Sequence, residues 1–445
     1  MESLLARLRW SAYLAVQLRG QAYFPFRRRA EIAAAQGRNL AAIVRHAQRT
    51  VPYYRETLGR MNLTPADLRS VADLRRLPLI ERSQLQRDPE YFVSEAVKRS
   101  DCLELRTGGS TGVPCTIYHD PRALFANAAH GERERSMITR LVGKRFGYRE
   151  TVIGSPTTTD AVVQDFCARR ALFPRGVRIE RQYLSLLEPP ERSIARINEF
   201  RPDVLRSYGS YLEVLFPHAL KAAVHIHRPK VLVYSSDGLS AAVRQLIRRH
   251  FEIPVLSTYE AVEAFKIGFE CLAGEGLHLN EDLYPLRIVD ADGADRRDGE
   301  SGDVVVSNLV NYATVLLNYR LGDIAQRLTD DPCPCGRKLA RLSAPEGRND
   351  EYLRLPSGQV IHPQAVRTIL VGHPHIWRFQ VVQRTASELQ VKIVAAVGAE
   401  RGAMKSDLSE RLAKTLGNQI RIEIIFVEAI ASAGSNKFRV VVSSA

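Results

Sequence analysis

Strand-like apolar segments alternate with helical segments through the middle of the chain, and this alternation constrains the fold more than any other feature. Helical stretches such as 240–250 separate the strand-like segments, and each of the latter ends in small or polar residues. The strand-like segments are "TVIGS" (151–155), "VLRSYGS" (204–210), "PKVLVYSSDGLS" (229–240) and "IPVLSTYEA" (253–261). Strands that alternate with helices are typical of an α/β sheet. The sequence therefore predicts an α/β fold whose sheet is parallel at least in part.

The regions on either side of this core have different patterns. Residues 1–100 form a helical lead-in with a break at Val51-Pro52, and residues 121–137 predict one further helix. The last hundred residues read strand, helix, strand, helix, strand, which predicts a small α+β domain. The charged stretch "APEGRNDEY" (344–352) marks its start. We therefore predict a large N-terminal domain over residues 1–347 and a small C-terminal domain over 348–445.

The charge of the chain indicates an anionic partner. Its 445 residues carry a formal net charge of +14, with 45% hydrophobic and 25% charged residues. A nucleotide, coenzyme A or an anionic membrane surface would each suit this charge. No tail-type block of Lys and Arg and no aromatic-studded basic repeat is present, so nucleic acid is not predicted as a partner.

The N-terminus and the cysteines bear on location. The first 29 residues lack a clean apolar core and a cleavage site, so we do not predict a signal peptide. They suit an amphipathic helix that either rests on a membrane or packs on the body of the protein, and packing is the favoured alternative. Six cysteines in a chain of this length do not make a disulfide scaffold. A reducing, cytoplasmic location is the expectation.

A loop rich in glycine and hydroxyl groups lies between two apolar runs. Its backbone N–H groups and hydroxyls suit phosphate oxygens, because glycine permits close approach and successive amides form an anion site. The alternative is a long hairpin turn. The residues of this loop are Thr107, Gly108, Gly109, Ser110, Thr111 and Gly112.

A second candidate site combines cysteines with a histidine. Cys333 and Cys335 form a tight knuckle, and Cys271 and His278 lie upstream. Three thiolates and one imidazole suit tetrahedral structural Zn²⁺. The alternative is a set of unlinked cysteines, with Cys271 buried and residues 333–335 in a simple turn.

Five segments in order resemble the motifs of the AMP-forming, or adenylate-forming, ligase superfamily. The Gly-rich loop resembles its phosphate loop, with Val113 in place of the usual lysine. "STYEAVEAF", "NYRLGDIA", "EGRNDEYL" and "SNKFRVVVS" resemble four later motifs, with Glu260 and Asn436 in place of the usual glycines. The matching residues in these four are Tyr259, Glu263, Tyr319, Arg320, Gly322, Asp323, Gly347, Arg348, Asp350 and Lys437.

The phenylacetate–CoA ligase branch, with its relatives from capsule and natural-product loci, is the most similar. "YSSDGLS" resembles a Gly-Ala-Glu-Pro-Leu stretch of that branch, with Asp237 for the glutamate, and "FECLAGEGLHLNEDLYPLRIVD" resembles another of its segments. The resemblance implies a large adenylate-forming domain with mixed sheets and helices and a small mobile C-terminal α+β domain. It also implies that ATP activates a carboxylic acid, by default an aromatic acid as in that branch, for transfer to coenzyme A.

The resemblance also implies a role for each matching residue. The loop 107–112 would hold the β- and γ-phosphates, and Asp323 would accept both ribose hydroxyls. Arg348 would fix ribose or phosphate, Glu263 would hold Mg²⁺, and Lys437 would bridge the carboxylate and the α-phosphate. Asp237 and Tyr259 would complete the nucleotide site. The alternatives without a role in binding or catalysis are a loop-capping Asp323, an interdomain ion pair at Arg348 and a solvated Lys437.

Other functions stay open at this point. The enzyme could stop at the acyl-adenylate, or pass the acyl group to a carrier protein or an amine. A non-catalytic relative is disfavoured because the residues with proposed catalytic roles are retained. A homodimer is compatible with the resemblance as well.

Overall fold

The computed structural model describes residues 3–107, 115–154, 158–173, 179–186, 188–345, 353–357, 359–361, 363–371, 373, 375–395, 398–417, 419–428, 430 and 441–443. The chain forms two compact units. The first contains residues 1–105, 117–183 and 194–347, and the second contains 106–116, 184–193 and 348–445. The predicted domains, residues 1–347 and 348–445, place the segments 106–116 and 184–193 in the first domain and not in the second. These domain limits stay a prediction.

The helices of the described residues follow the apolar periodicity of the sequence. Pro52 begins α3 directly after α2 ends, because proline suits the first turn of a helix but not its interior. The single helix predicted over 121–137 is wrong in one respect: α5 ends at His130 and α6 begins at Glu132, with Gly131 between them. The helices are α1 (Leu4–Leu18), α2 (Arg29–Thr50), α3 (Pro52–Arg60), α4 (Arg82–Arg87), α5 (Pro121–His130), α6 (Glu132–Val142), α7 (Thr159–Arg170), α8 (Pro190–Phe200), α9 (Gly209–Lys221), α10 (Ala241–Leu246), α11 (Pro363–Val371) and α12 (Arg401–Leu416).

The strands are numbered in the same way. They are β1 (Leu103–Arg106), β2 (Thr116–His119), β3 (Arg149–Gly154), β4 (Glu180–Ser185), β5 (Val204–Tyr208), β6 (Val231–Ser235), β7 (Val255–Ala261), β8 (Phe265–Glu270), β9 (Leu277–Leu279), β10 (Leu286–Val289), β11 (Ser301–Val306), β12 (Tyr319–Gln326), β13 (Arg341–Leu342), β14 (Leu353–Arg354), β15 (Val360–Ile361), β16 (Ile376–Thr385), β17 (Glu388–Ala395), β18 (Arg421–Phe426) and β19 (Val441–Ser443).

The main sheet has the order β13-β9-β8-β7-β6-β5-β3-β4. Strands β3, β5, β6 and β7 pair in parallel, as the alternation of strands and helices predicts. Strands β7, β8, β9 and β13 continue the sheet with antiparallel pairs. The parallel strand β6 is almost completely buried, which explains why its sequence is a nearly continuous apolar run.

The antiparallel sheet β10-β11-β12 carries a distortion that positions a candidate site residue. Val305 pairs with Arg320 and Asp303 pairs with Ile324, so three residues of β12 lie opposite Val304 alone. Gly322 in this bulge has φ +83°, a left-handed conformation that glycine adopts without strain. A bulge of this kind interrupts the regular alternation of side chains between the two faces of the sheet.

The second unit is built on the sheet β18-β17-β16-β19. Helix α12 packs on this sheet through Met404, Leu408 and Leu412, which share an apolar core with Phe379 and Val391. The predicted α+β pattern is correct, but strand β16 was not predicted. Its sequence "IWRFQVVQRT" carries Arg378, Gln380 and Gln383 among its apolar residues, so the apolar run is interrupted.

Candidate functional site

The loops that follow the parallel strands lie at one edge of the main sheet, where open α/β sheets bind ligands. Asp237 follows β6 and accepts hydrogen bonds from the backbone N–H and the hydroxyl of Ser210, which follows β5. Gly209 is required at this junction, because a Cβ there would lie 2.5 Å from the carbonyl oxygen of Gly238. The Asp237 carboxylate, which the sequence predicts to be part of the nucleotide site, therefore holds the two loops together.

Tyr259 and Asp323 come together from two different sheets. The Tyr259 hydroxyl donates a 2.9 Å hydrogen bond to Oδ2 of Asp323. The pairing of β7 with β8 shifts its register directly after Tyr259, and Asp323 lies in the bulge of β12. Asp323 is half-buried, so its carboxylate combines a fixed orientation with access for a ligand.

Glu263 is a buried carboxylate that lies next to a basic side chain. Its Oε1 accepts a 3.4 Å hydrogen bond from the Tyr319 hydroxyl and lies 3.6 Å from Nη1 of Arg82. Its backbone carbonyl accepts a 2.9 Å hydrogen bond from Asn308. The sequence predicted Glu263 and Tyr319 but not Arg82, which belongs to the short helix α4 and lies in none of the five motifs.

The Gly-rich loop is described only at its base. The Thr107 backbone N–H donates to the Cys115 carbonyl at 2.9 Å, and the Cys115 N–H donates to Oγ1 of Thr107 at 3.1 Å. Thr107 thus closes the base of the loop between β1 and β2. The remaining loop residues, Gly108 to Gly112, lie outside the described residues, and so do Arg348 and Lys437.

The predicted cysteine and histidine residues form a compact cluster. Their ligand atoms all lie within 4.8 Å of one another. Sγ of Cys271 lies 3.6 Å from Sγ of Cys333, and Sγ of Cys335 lies 3.3 Å from Nε2 of His278. Tetrahedral coordination with Zn–S bonds of about 2.3 Å separates neighbouring sulfur atoms by about 3.8 Å. The cluster therefore matches a tetrahedral metal site in both donor type and spacing.

The protonation of this cluster follows from its surroundings. Burial, with the nearby charges of Arg337 and Arg341, lowers the pKa of His278 to about 4. Its imidazole is therefore neutral at physiological pH, which is the form that binds metals. Burial raises the pKa of the Cys271 thiol to about 12. At Cys335 the effect of burial is outweighed by hydrogen bonds from the Arg337 backbone and side chain, which lower its pKa.

A cavity of about 470 Å³ lies within the first unit, close to the strand that carries Tyr259. Ser257 lines it and, two residues before Tyr259, lies on the same face of β7. Opposite, Glu270 accepts hydrogen bonds from the Ser257 backbone and hydroxyl and from Arg244. The volume falls in the range of sites for small molecules. Sequence reasoning missed Arg244 and Glu270.

A buried ionic network begins at Glu260, the residue that replaces a glycine of the superfamily motif. Nζ of Lys266 lies 3.0 Å from Glu260 and 3.4 Å from Glu134. Burial alone would lower the pKa of Lys266, but these two carboxylates raise it above its ordinary value. Glu134 also pairs with Arg206 at 3.2 Å. The charged residues therefore compensate one another inside the protein.

Comparisons with known proteins show which families this chain is similar to in sequence and in fold. A family model described as the CapK C-terminal domain matches residues 353–444. Phenylacetate-coenzyme A ligase of Thermus thermophilus is 25% identical over 416 residues, covering 88% of this chain and 85% of that protein. Protein CapK of Staphylococcus aureus is 19% identical over 412 residues, covering 92% of this chain and 88% of that protein. An open conformation of 2-hydroxyisobutyryl-CoA ligase in complex with 2-HIB-AMP and CoA has a TM-score of 0.59 at 19% identity, covering 93% of this chain and 92% of that chain.

The chain is similar in sequence and in fold to acid–CoA ligases of the adenylate-forming superfamily. Its sequence relatives lie in the phenylacetate–CoA ligase branch and include CapK, as the motifs predicted. The predicted α/β fold of this superfamily is confirmed by the similarity to the solved ligase. Within the described residues, no helix is long and apolar enough to cross a bilayer.

Proposed function

We propose that this chain is an AMP-forming acid–CoA ligase. In this reaction ATP and a carboxylic acid give an acyl-adenylate and pyrophosphate, and the thiol of coenzyme A then displaces AMP. The observation that carries the proposal is the Tyr259–Asp323 hydrogen bond, which fixes a half-exposed carboxylate in a chain of this superfamily. A carboxylate accepts two hydrogen bonds side by side, which suits the paired hydroxyls of a ribose.

The first chemical step brings together two anions, the acid and the α-phosphate. Catalysis of such a step consists of positioning and of stabilising the charge that develops on the phosphoryl oxygens. Asp323 would orient the ribose, and the cavity beside Ser257 would receive the base. Lys437 would supply a positive charge between the acid and the α-phosphate, and Arg348 would hold ribose or phosphate.

The loop from Thr107 to Gly112 would hold the pyrophosphate portion of ATP. The two hydrogen bonds between Thr107 and Cys115 support this role, because they fix the base of a loop whose sequence is rich in glycine and hydroxyl residues. Val113 removes the usual lysine, so these amides and hydroxyls would do more of the binding. We further propose a domain boundary at residues 347–348, about which the C-terminal domain moves.

Glu263 fits the role of a Mg²⁺ ligand. Mg²⁺ in such sites is held by one or two carboxylates together with substrate phosphates, and it neutralises phosphate charge. The Oε1 atom of Glu263 already faces Arg82 and Tyr319. Arg82 would offset the negative charge of this buried carboxylate before ATP binds.

The cysteine–histidine cluster would hold one structural Zn²⁺. Cys271 and His278 come from the main sheet, whereas Cys333 and Cys335 come from the segment before β13. A metal on all four residues would tie these segments together. Its binding energy would contribute to folding, because the ligands are not held together in the unfolded chain. We also propose a cytoplasmic location, where ATP and coenzyme A are available.

A screen of ATP–pyrophosphate exchange against a set of carboxylic acids, with and without coenzyme A, tests the proposal. An adenylating enzyme exchanges pyrophosphate only with an accepted acid, and a CoA ligase then forms a thioester. Exchange without thioester formation would favour a carrier protein or an amine as acceptor. No exchange with any acid, from protein that is folded and binds ATP, would favour a non-catalytic relative.

A further inference from the structure

Helix α1 packs on the first unit through one face only. The indole of Trp10 stacks on the ring of Phe125 in α5, with centroids 5.1 Å apart and planes inclined by 13°. Leu14 is buried in the same apolar cluster, together with Val163 and Phe166 of α7. The inner face of α1 is therefore fixed to the protein, so that the helix is not a free arm.

The opposite face of α1 is exposed and carries no polar residue. Because an α-helix turns by about 100° per residue, the side chains of this face lie on an arc of about 120°. Leu5 is 79% exposed, Leu4 64%, Val16 69% and Leu8 48%. The solvent face of a helix in a globular protein is normally polar. We call this surface the α1 outer face; it consists of Leu4, Leu5, Leu8, Ala12, Ala15 and Val16, all exposed.

Two further apolar residues extend the α1 outer face. Arg7 donates a hydrogen bond to the Ala171 carbonyl, and Ser11 accepts one from the backbone N–H of Leu172. These bonds place Leu172 and Phe173, both exposed, beside α1. Exposed apolar residues from two neighbouring elements therefore lie near each other, and groups of this kind mark interaction sites.

The segment that carries the α1 outer face has charges of a single sign. Residues 3–30 contain six arginines and neither Asp nor Glu. Arg9 and Arg19 are exposed and flank the α1 outer face, and within the described part of the chain neither forms an ion pair. A second copy of this chain docked through the same face would bring these arginines against their own equivalents, and this repulsion disfavours a dimer.

We propose that the α1 outer face docks on an anionic phospholipid surface. The helix would lie in the plane of the interface, with its leucines among the acyl chains near the headgroups and the arginines at the phosphates. At 15 residues it is about 22 Å long, so it would lie along the surface without crossing it. Because its inner face keeps its packing, docking would need no rearrangement of the protein. The inference does not depend on the proposed ligase activity.

Vesicle co-sedimentation of the full chain tests this proposal. We expect binding to vesicles of phosphatidylcholine with phosphatidylglycerol, little binding to phosphatidylcholine alone, and weaker binding as the salt concentration rises. The double substitution Leu5→Glu and Leu8→Glu should lower binding by about tenfold or more, because two carboxylates would enter the interface. The matched control is Leu220→Glu with Val224→Glu, at positions that are each 42% exposed and far from residues 3–30 in sequence.

Thermal unfolding of the Leu5/Leu8 and Leu220/Val224 double variants checks that they fold. The double substitution Arg9→Gln and Arg19→Gln gives a second test that leaves the leucines in place. This variant should lose binding to anionic vesicles. Absence of wild-type binding to anionic vesicles, or equal binding by the Leu5/Leu8 variant, would overturn the proposal. A lipid-free dimer that the same variant abolishes, without vesicle binding, would assign the surface to a second copy instead.

Discussion

The Tyr259 hydroxyl lies 2.9 Å from Oδ2 of Asp323, and each residue is next to an irregularity in its own sheet. Regular strands alternate their side chains between the two faces. The bulge around Gly322 interrupts this alternation in β12, and Asp323 of the bulge meets Tyr259 of β7. The Asp323 carboxylate is thereby held by a hydrogen bond while the residue stays half-exposed.

Substitution of Asp323 tests its role in nucleotide binding. Asp323→Asn keeps the size of the side chain but removes the charge and one acceptor, so kcat/KM for ATP in pyrophosphate exchange should fall by about 10- to 100-fold. Tyr259→Phe removes only the positioning hydrogen bond and should cost about fivefold. The KM for the acid should change little in either variant. A change confined to the KM for the acid, with kcat/KM for ATP unaffected, would assign Asp323 to the acid site instead of the nucleotide site.

Lys437→Ala tests the proposed separation of the two half-reactions. Loss of a positive charge from the reacting phosphate should lower the rate of adenylate formation by about 10²-fold or more. The variant should still convert a supplied acyl-adenylate and coenzyme A into acyl-CoA, because the bond between the acid and the α-phosphate, where Lys437 would act, is already formed. Lys414→Ala on α12 is the matched control within the same domain. Pyrophosphate exchange at the wild-type rate in the Lys437 variant would refute the assignment.

Elemental analysis tests the metal site directly. We expect one zinc per chain in protein purified without chelators, and none in the Cys333→Ala variant. Removal of the metal should lower the midpoint of thermal unfolding by about 5 °C or more, because a structural site contributes to folding energy. Cys102→Ala, at a half-buried cysteine outside the cluster, should retain the metal. Metal-free wild-type protein with unchanged stability would contradict the prediction.

The ionic network around Lys266 should matter for folding. Lys266→Met removes the cation beside the buried Glu134 and the half-buried Glu260, so the free energy of unfolding should fall by about 3 kcal/mol. The control is Arg228→Met, which breaks an exposed pair with Glu252 and should cost less than about 1 kcal/mol. Urea unfolding measures both. Equal effects of the two substitutions would show that the network does not stabilise the buried carboxylates.

Much of the fold was accessible from the sequence because its signals are local. The apolar run that becomes β6 and the break at Pro52 depend on propensity and on backbone chemistry within a few residues. Strand β16 was missed because its charged and amide side chains interrupt the apolar pattern. The split at Gly131 was missed because one glycine within a helical pattern is usually tolerated.

The candidate site was accessible only where motifs mark it. Cys271, His278, Cys333 and Cys335 were grouped correctly, because few residue types share their chemistry. The contact of Arg82 with Glu263 and the network of Glu134 with Lys266 join distant segments through charges that are common in any sequence. Only the folded chain brings such partners together, and no local pattern distinguishes them from solvated side chains.

The product balance of one reaction tests the central claim most directly. The protein is incubated with ATP, an acid that supports pyrophosphate exchange, and coenzyme A, and all products are quantified. An AMP-forming acid–CoA ligase yields AMP, pyrophosphate and acyl-CoA in equal amounts, and none of them when the acid is omitted. Formation of ADP and phosphate, or of AMP without acyl-CoA, would contradict the account.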